Sequence, residues 1–214
     1  MDAPSCADVR REYGDARLDA TSLTAHPMDQ FNTWLLEALQ GESKDPNAMV
    51  LSTVDAQGHP DARVVLLKGI QESSFVFYTN YESTKALQIK ANPFVALTFY
   101  WPDAARQVRV LGVASQTTPK ESDVYFSSRP IASQYAATIS PQSQPIESPD
   151  EMIQKFNLMM DSSNNQPISR PQYWGGYAVK AHEIEFWQGR THRIHDRVRY
   201  TLEADVWTKT WLAP

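Results

Sequence analysis

Apolar residues recur at helical spacing early in the chain, at Met28, Phe31, Leu35, Ala38 and Leu39. That stripe predicts an amphipathic helix over 28–40, with Gly41 placed to end it. Beyond it the pattern shortens to apolar runs separated by turn formers. Residues 48–54 and 62–67 flank a turn that closes on Gly58 and predict a hairpin. The run FVFYT at 75–79 predicts another strand, and 94–100 with 107–114 predict an antiparallel pair around Pro102 and Asp103. Helices are predicted over 84–90, between Ser83 and Asn92-Pro93, and over 121–128 and 133–139. A further helix to about 160 opens on Ser148, Pro149 and Glu151, a capping box with proline at the first helical position. After a polar loop over 161–172, three strands at 177–179, 184–187 and 198–201 close the chain, with 206–211 as a fourth.

Short antiparallel strands with a few helices inserted between them predict a mainly β protein, a closed β-barrel with peripheral helices. No G-x-G-x-x-G and no Walker motif supports a dinucleotide fold. Residues 1–25 are polar with little periodicity and read as an N-terminal arm, leaving 26–214 as a single domain.

Composition narrows the function more than the fold. A net charge of −5 over 214 residues argues against a nucleic-acid partner unless basic residues cluster locally. A lone Cys6 excludes an intrachain disulfide and fits a reducing compartment. No apolar run approaches a membrane span and no signal-like segment opens the chain, so a soluble cytoplasmic protein is expected, with no membrane partner.

Basic residues do cluster. Residues 184–197 read IEFWQGRTHRIHDR and set Arg190, Arg193 and Arg197 beside His192 and His195. If 192–199 is extended, Arg193, His195, Arg197 and Arg199 share one face by the period of two. Such cations are unfavourable together unless an anion lies against them; a solvated basic edge strand is the plain alternative. No metal site of His192, His195 and Asp196 is expected, because alternation puts His195 and Asp196 on opposite faces. Arg63 and Lys68 bracket the apolar Val64, Val65, Leu66 and Leu67. Five positions apart, they face opposite sides of a regular strand and serve two anions, or a bulge intervenes; the alternative is a core strand with charged ends. Tyr125 and Arg129 share a helix face at i, i+4, Pro130 turns the chain, and Ser133 is placed to cap the next helix. A helix N-terminus with a hydroxyl, a tyrosine and an arginine makes a phosphate cradle, although an ordinary cap reads the same way. Tyr78, Thr79, Thr84, Lys85, Gln107, Gln142 and Ser143 are individually unremarkable surface types. Cation capacity in separate places suggests two phosphates, such as a flavin mononucleotide and a phosphorylated substrate.

Together these residues resemble the pyridoxine/pyridoxamine 5'-phosphate oxidase family. Residues 184–197 are similar to its C-terminal signature, (aliphatic)-E-F-W-Q-x4-R-(aliphatic)-H-(D/N/E)-R, at every fixed position. The likeness extends through Arg10 to Tyr13, the R-x-V-L-L-K strand ending on Lys68, Phe77 to Asn80, Arg106 to Val108, the 125–134 segment, Trp174-Gly-Gly176 and the final Leu212-Ala-Pro214. It implies an FMN-binding split barrel that forms a homodimer, with two FMN sites at the subunit interface. By resemblance the FMN is held by Arg63, Val64, Val65, Leu66, Leu67, Lys68, Tyr78, Thr79, Thr84, Lys85, Gln107, Gln142, Ser143, Trp187 and Arg197. The substrate phosphate lies against Lys68, Tyr125, Arg129 and Ser133 and the ring against Arg193 and His195, the residues nearest the chemistry. Arg10 and Tyr13 come from the arm folding over the site.

Thr84 stands where the family often carries an arginine, and 19–22 lack the basic run some relatives show after the tyrosine. The implied activity is oxidation of pyridoxine and pyridoxamine 5'-phosphates to pyridoxal 5'-phosphate, with O2 reduced to H2O2. The alternatives are a same-fold flavin oxidase of the phenazine-biosynthesis type and a non-catalytic FMN- or pyridoxal-phosphate-binding protein.

Overall fold

A computed structural model describes residues 6, 11–21, 23–163 and 166–214. Its helices are α1 (Pro27–Gln40), α2 (Thr84–Ala91), α3 (Pro119–Ser128), α4 (Ile131–Ile139) and α5 (Pro149–Ser162). Its strands are β1 (Ala48–Val54), β2 (Pro60–Leu66), β3 (Gly69–Gln71), β4 (Ser74–Asn80), β5 (Phe94–Trp101), β6 (Arg106–Gln116), β7 (Trp174–Gln188), β8 (Asp196–Glu203) and β9 (Val206–Leu212). The strand order is β2-β1-β5-β6-β7-β4-β3, with β8 beside β7 and β9 beside β8. The β1–β2, β3–β4, β4–β7, β7–β8 and β8–β9 pairs are antiparallel. The mainly β architecture with helices between strands is the one the sequence predicts.

The chain divides into two compact units. One comprises residues 1–47, 98–110 and 182–214; the other comprises 48–97 and 111–181. In the first, α1 lays Met28, Phe31 and Trp34 inward, and Trp34 meets Phe186 edge-on at 5.3 Å. Phe99, Val108, Ile184, Val198 and Tyr200 complete that core, and the Tyr200 hydroxyl is satisfied by the Thr24 carbonyl at 2.9 Å. In the second, Met49, Leu51, Phe75, Phe77, Leu97, Phe126, Tyr135 and Val179 are buried. Gly112 lets β6 lie close to β7, since a Cβ there would stand 2.7 Å from the Lys180 carbonyl oxygen.

The departures from the sequence pattern have local causes. The strands expected at 177–179 and 184–187 are one strand, β7, because Lys180 and His182 occupy its outward positions while Ala181 stays buried. β3 is three residues long, too short to show a period. α3 starts two residues early on a capping box in which Thr118 and Glu121 exchange hydrogen bonds. Ser133 is not a cap: α4 begins at Ile131 behind Pro130, and the Ser133 N–H donates to the Pro130 carbonyl at 2.8 Å, inside the first turn.

Candidate active site

A cavity of about 770 Å3 opens in the second unit. β2 lines it with Arg63, Val64, Val65 and Leu66, followed by Lys68; β4 ends in it with Tyr78, Thr79 and Asn80. Since β2 ends the strand order, its outer edge offers unpaired backbone groups. Lys85 comes from the first turn of α2, Tyr125 and Arg129 from the end of α3, Ser133 from α4, and Gln142 from the loop beyond. No carboxylate stands among the described lining residues, whereas Arg63, Lys68, Lys85 and Arg129 bring four cations.

These cations differ in how they are held. Arg63 is held at both terminal nitrogens: it pairs with Asp61 and donates to Thr53 Oγ1 at 2.5 Å, to the Leu51 carbonyl at 3.2 Å and to Gln88 Oε1 at 3.2 Å. Lys85 is buried, its Nζ donating to Gln142 Oε1 at 2.9 Å, Ser83 Oγ at 3.2 Å and Thr79 Oγ1 at 3.3 Å. All three partners are neutral, so burial, reinforced by the nearby Arg63, lowers its pKa to about 8. Arg129 lies over the Trp174 ring at 4.7 Å, and its buried Nη1 has no hydrogen-bond partner. Lys68 is exposed at the mouth. Among the described residues no salt bridge engages Lys68, Lys85 or Arg129. Tyr78 and Tyr125 stack at 3.8 Å, and burial raises the pKa of both, keeping their hydroxyls protonated. Gly176, opposite Tyr78 in the β4–β7 register, makes room for that ring: a Cβ would lie 2.8 Å from Tyr78 Cε1.

A donor set of this kind suits phosphate. A buried guanidinium nitrogen without a partner, an ammonium among neutral oxygens and an exposed lysine all gain from an oxyanion. Trp174, whose ring forms the platform under Arg129, has no assigned role in the sequence reading. Its one signal there was its place in the Trp174-Gly-Gly176 likeness, three residues before the strand expected at 177–179.

The remaining expected residues lie elsewhere or are differently disposed. Leu67 is buried and does not line the cavity; Thr84 is exposed at the start of α2; Ser143 is exposed with φ +71° beside Gln142. Arg10 falls outside the described residues. Gln107, Tyr13, Trp187, Arg193, His195 and Arg197 belong to the first unit.

There 192–199 is not extended throughout, so the single basic face that depended on it is not formed. Residues 191–193 make one 3-10 turn in which His192 and Arg193 take φ of +56° and +60°, and β8 begins only at Asp196. Alternation therefore joins Arg197 with Arg199 and leaves Arg193 and His195 outside it. Those two arginines meet anions in their own sheet: Arg197 pairs with Glu185 at 2.9 Å and Arg199 lies 3.9 Å from Glu183. The buried Glu185, also 3.4 Å from Arg109, is the residue that sequence reasoning missed, because only the β7–β8 register sets it opposite these arginines. His195 lies against Trp187 with ring centroids 4.8 Å apart, and Tyr13 stands edge-on to both. His195 Nδ1 accepts from the Arg190 N–H at 3.1 Å, which leaves the proton of the neutral ring on Nε2. Burial, and then Arg193, hold its pKa below the ordinary histidine value, against the opposing pull of Asp196.

Comparison with known proteins extends this geometry. A sequence profile described as pyridoxamine 5'-phosphate oxidase matches residues 35–159. A second, the pyridoxine 5'-phosphate oxidase C-terminal dimerisation region, matches 174–214. A pyridoxine/pyridoxamine 5'-phosphate oxidase of Legionella pneumophila (strain Lens) is 50% identical over 210 residues, covering 98% of each chain. One from Synechocystis sp. is 45% identical over the full length of both. In fold, the chain is similar to PhzG from Burkholderia lata 383, solved with tetrahydrophenazine-1-carboxylic acid. That TM-score is 0.88 at 23% identity, over 94% of this chain and all of the other. A pyridoxamine 5'-phosphate oxidase-related, FMN binding protein from Nostoc punctiforme gives 0.72 at 16% identity, over 90% of this chain and all of the other. The split-barrel fold expected from the sequence is the fold of these neighbours.

Proposed function

The chain belongs to the pyridoxamine 5'-phosphate oxidase family, and we propose that it oxidises pyridoxamine and pyridoxine 5'-phosphates to pyridoxal 5'-phosphate with FMN as cofactor. The observation that carries this reading is the cation-lined cavity, above all the buried, unpartnered Nη1 of Arg129. Arg129, with Lys68, Ser133 and the protonated hydroxyl of Tyr125, would take the substrate phosphate. That same set favours a phosphorylated substrate over one of the phenazine type.

For the flavin phosphate, Lys85 and Arg63 supply charge, and Thr79 and Gln142, already within reach of Lys85, supply hydrogen bonds. The edge of β2 from Arg63 to Leu66 offers backbone groups to the ring heteroatoms. When bound, FMN would accept a hydride from the substrate C4' carbon and return the electrons to O2, releasing H2O2. The protein's part is placement and charge. His195, held neutral with its proton on Nε2, would donate a hydrogen bond to the substrate ring, and Arg193 would cover the ring. Trp187 and Arg197 would flank the flavin at a homodimer interface, where the relatives' dimerisation region matches 174–214.

Purified protein is expected to be yellow and to convert pyridoxamine 5'-phosphate to the aldehyde with stoichiometric peroxide. A protein that takes up no FMN refutes the proposal.

A further inference from the structure

The segment that carries Tyr13 rests on the 188–196 turn through contacts that leave little tolerance. Tyr13 stands edge-on to Trp187 at 5.7 Å and to His195 at 5.5 Å. Gly189, between Trp187 and the turn, is buried under that ring: a Cβ there would come within 2.8 Å of Tyr13 Cδ1, 3.0 Å of Tyr13 Cγ and 3.0 Å of Trp187 Cη2. Because the inner atoms of the tyrosine ring are the ones met, a rotamer change gives little relief and the backbone of the segment must move. Gly189 has no left-handed backbone to protect, so the space over its Cα is the reason for glycine here.

Charge supplies a second hold. Asp196 uses one carboxylate oxygen to accept the Leu18 N–H at 3.1 Å and the other to pair with Arg190 at 3.1 Å. Arg190 in turn donates its backbone N–H to His195 Nδ1. Asp15 adds an exposed contact to the Thr191 hydroxyl at 3.3 Å. One carboxylate thus ties the arm to the turn that orients the imidazole.

We propose that Gly189 and Asp196 are positioning residues that seat residues 13–18 of the arm so that the Tyr13 ring is held against His195 and Trp187. Gly189 does so by leaving space and Asp196 by bonding the arm backbone and the turn together. The catalytic consequence rests on the proposed oxidase reading; the seat itself does not.

The test uses the FMN-loaded protein and Gly189→Ala, Asp196→Asn, Tyr13→Ala and the Gly189→Ala/Tyr13→Ala double variant. Limited trypsin digestion reads the seat without reference to activity. Cleavage after Arg17 is expected to accelerate about tenfold in Gly189→Ala and Asp196→Asn, an open population raised by one decade. Steady-state assays are expected to show KM for pyridoxamine 5'-phosphate raised about tenfold by Gly189→Ala, with kcat within about twofold. In the Tyr13→Ala background the same glycine change is expected to add less than about twofold, since the ring it would strike is gone. Unchanged cleavage in both single variants overturns the proposal, whether or not the protein proves to be an oxidase. So does an equal KM effect of Gly189→Ala with and without Tyr13, which would place its action on Trp187. Absent turnover in the unsubstituted protein, with faster cleavage in the variants, refutes the oxidase reading and leaves the seat standing.

Discussion

Lys85 holds its ammonium among three neutral oxygens, and the consequence is a pH dependence with two opposite signs. Its pKa is about 8 in the folded chain against an ordinary 10.5. Between those values the unfolded chain binds more protons, so the ligand-free protein gains stability as pH rises through that window. Phosphate affinity moves the other way, weakening above about pH 8 as the ammonium is lost. Urea midpoints without ligand and FMN titrations from pH 7 to 9.5 check both signs; flat FMN affinity removes Lys85 from the phosphate site. Arg129 is the complementary case, a half-buried cation with a buried, unpartnered Nη1, which in the proposed reading takes the substrate phosphate. Arg129→Ala is expected to raise KM for pyridoxamine 5'-phosphate about 10- to 100-fold, the 1.5–3 kcal/mol of a charged hydrogen bond, with kcat little changed. Unchanged kinetics would exclude the role. The residue types at both positions were legible from the sequence as excess cation capacity. That Arg63 is already paired with Asp61 while Arg129 is unpaired was not, because pairing depends on which side chains reach one another across elements.

At the level of elements, β7 shows how alternation succeeds and misleads within fifteen residues. Its apolar positions were recognised in two pieces, and the polar residues between them read as a break although they are the outward half of the same period. Its partner β8 was expected over 198–201 and begins two residues sooner, at Asp196, while an extended 192–199 would have gathered four basic residues on one face. The 3-10 turn at Thr191–Arg193 removes two of them, and Glu185 on β7 neutralises a third. Glu185→Gln would leave Arg197 and Arg109 without their carboxylate. A loss of about 1–3 kcal/mol is expected, discounted for the partial exposure of both arginines, and urea unfolding measures it. A change below about 0.5 kcal/mol would show that solvent already screens the pair.

On the scale of the whole molecule, the proposed homodimer has a direct consequence. If FMN is shared at the interface, dilution that dissociates the dimer releases the flavin in step, since a ligand bound only by the assembled form stabilises it by mass action. Sedimentation velocity and recovery of free-flavin fluorescence over the same dilution series are expected to share one midpoint; flavin retained by monomers would place the whole site within one subunit. The sequence by itself determined the mainly β class, most element positions and the candidate phosphate ligands, because period, turn chemistry and residue type act over a few neighbouring positions. Only the tertiary structure decided which cations are spent on their own sheet, that Trp174 floors the guanidinium of Arg129, and that the bare Cα of Gly189 lies beneath Tyr13. Each of these depends on atoms far apart in the chain approaching within a few ångströms, a distance that no local pattern encodes.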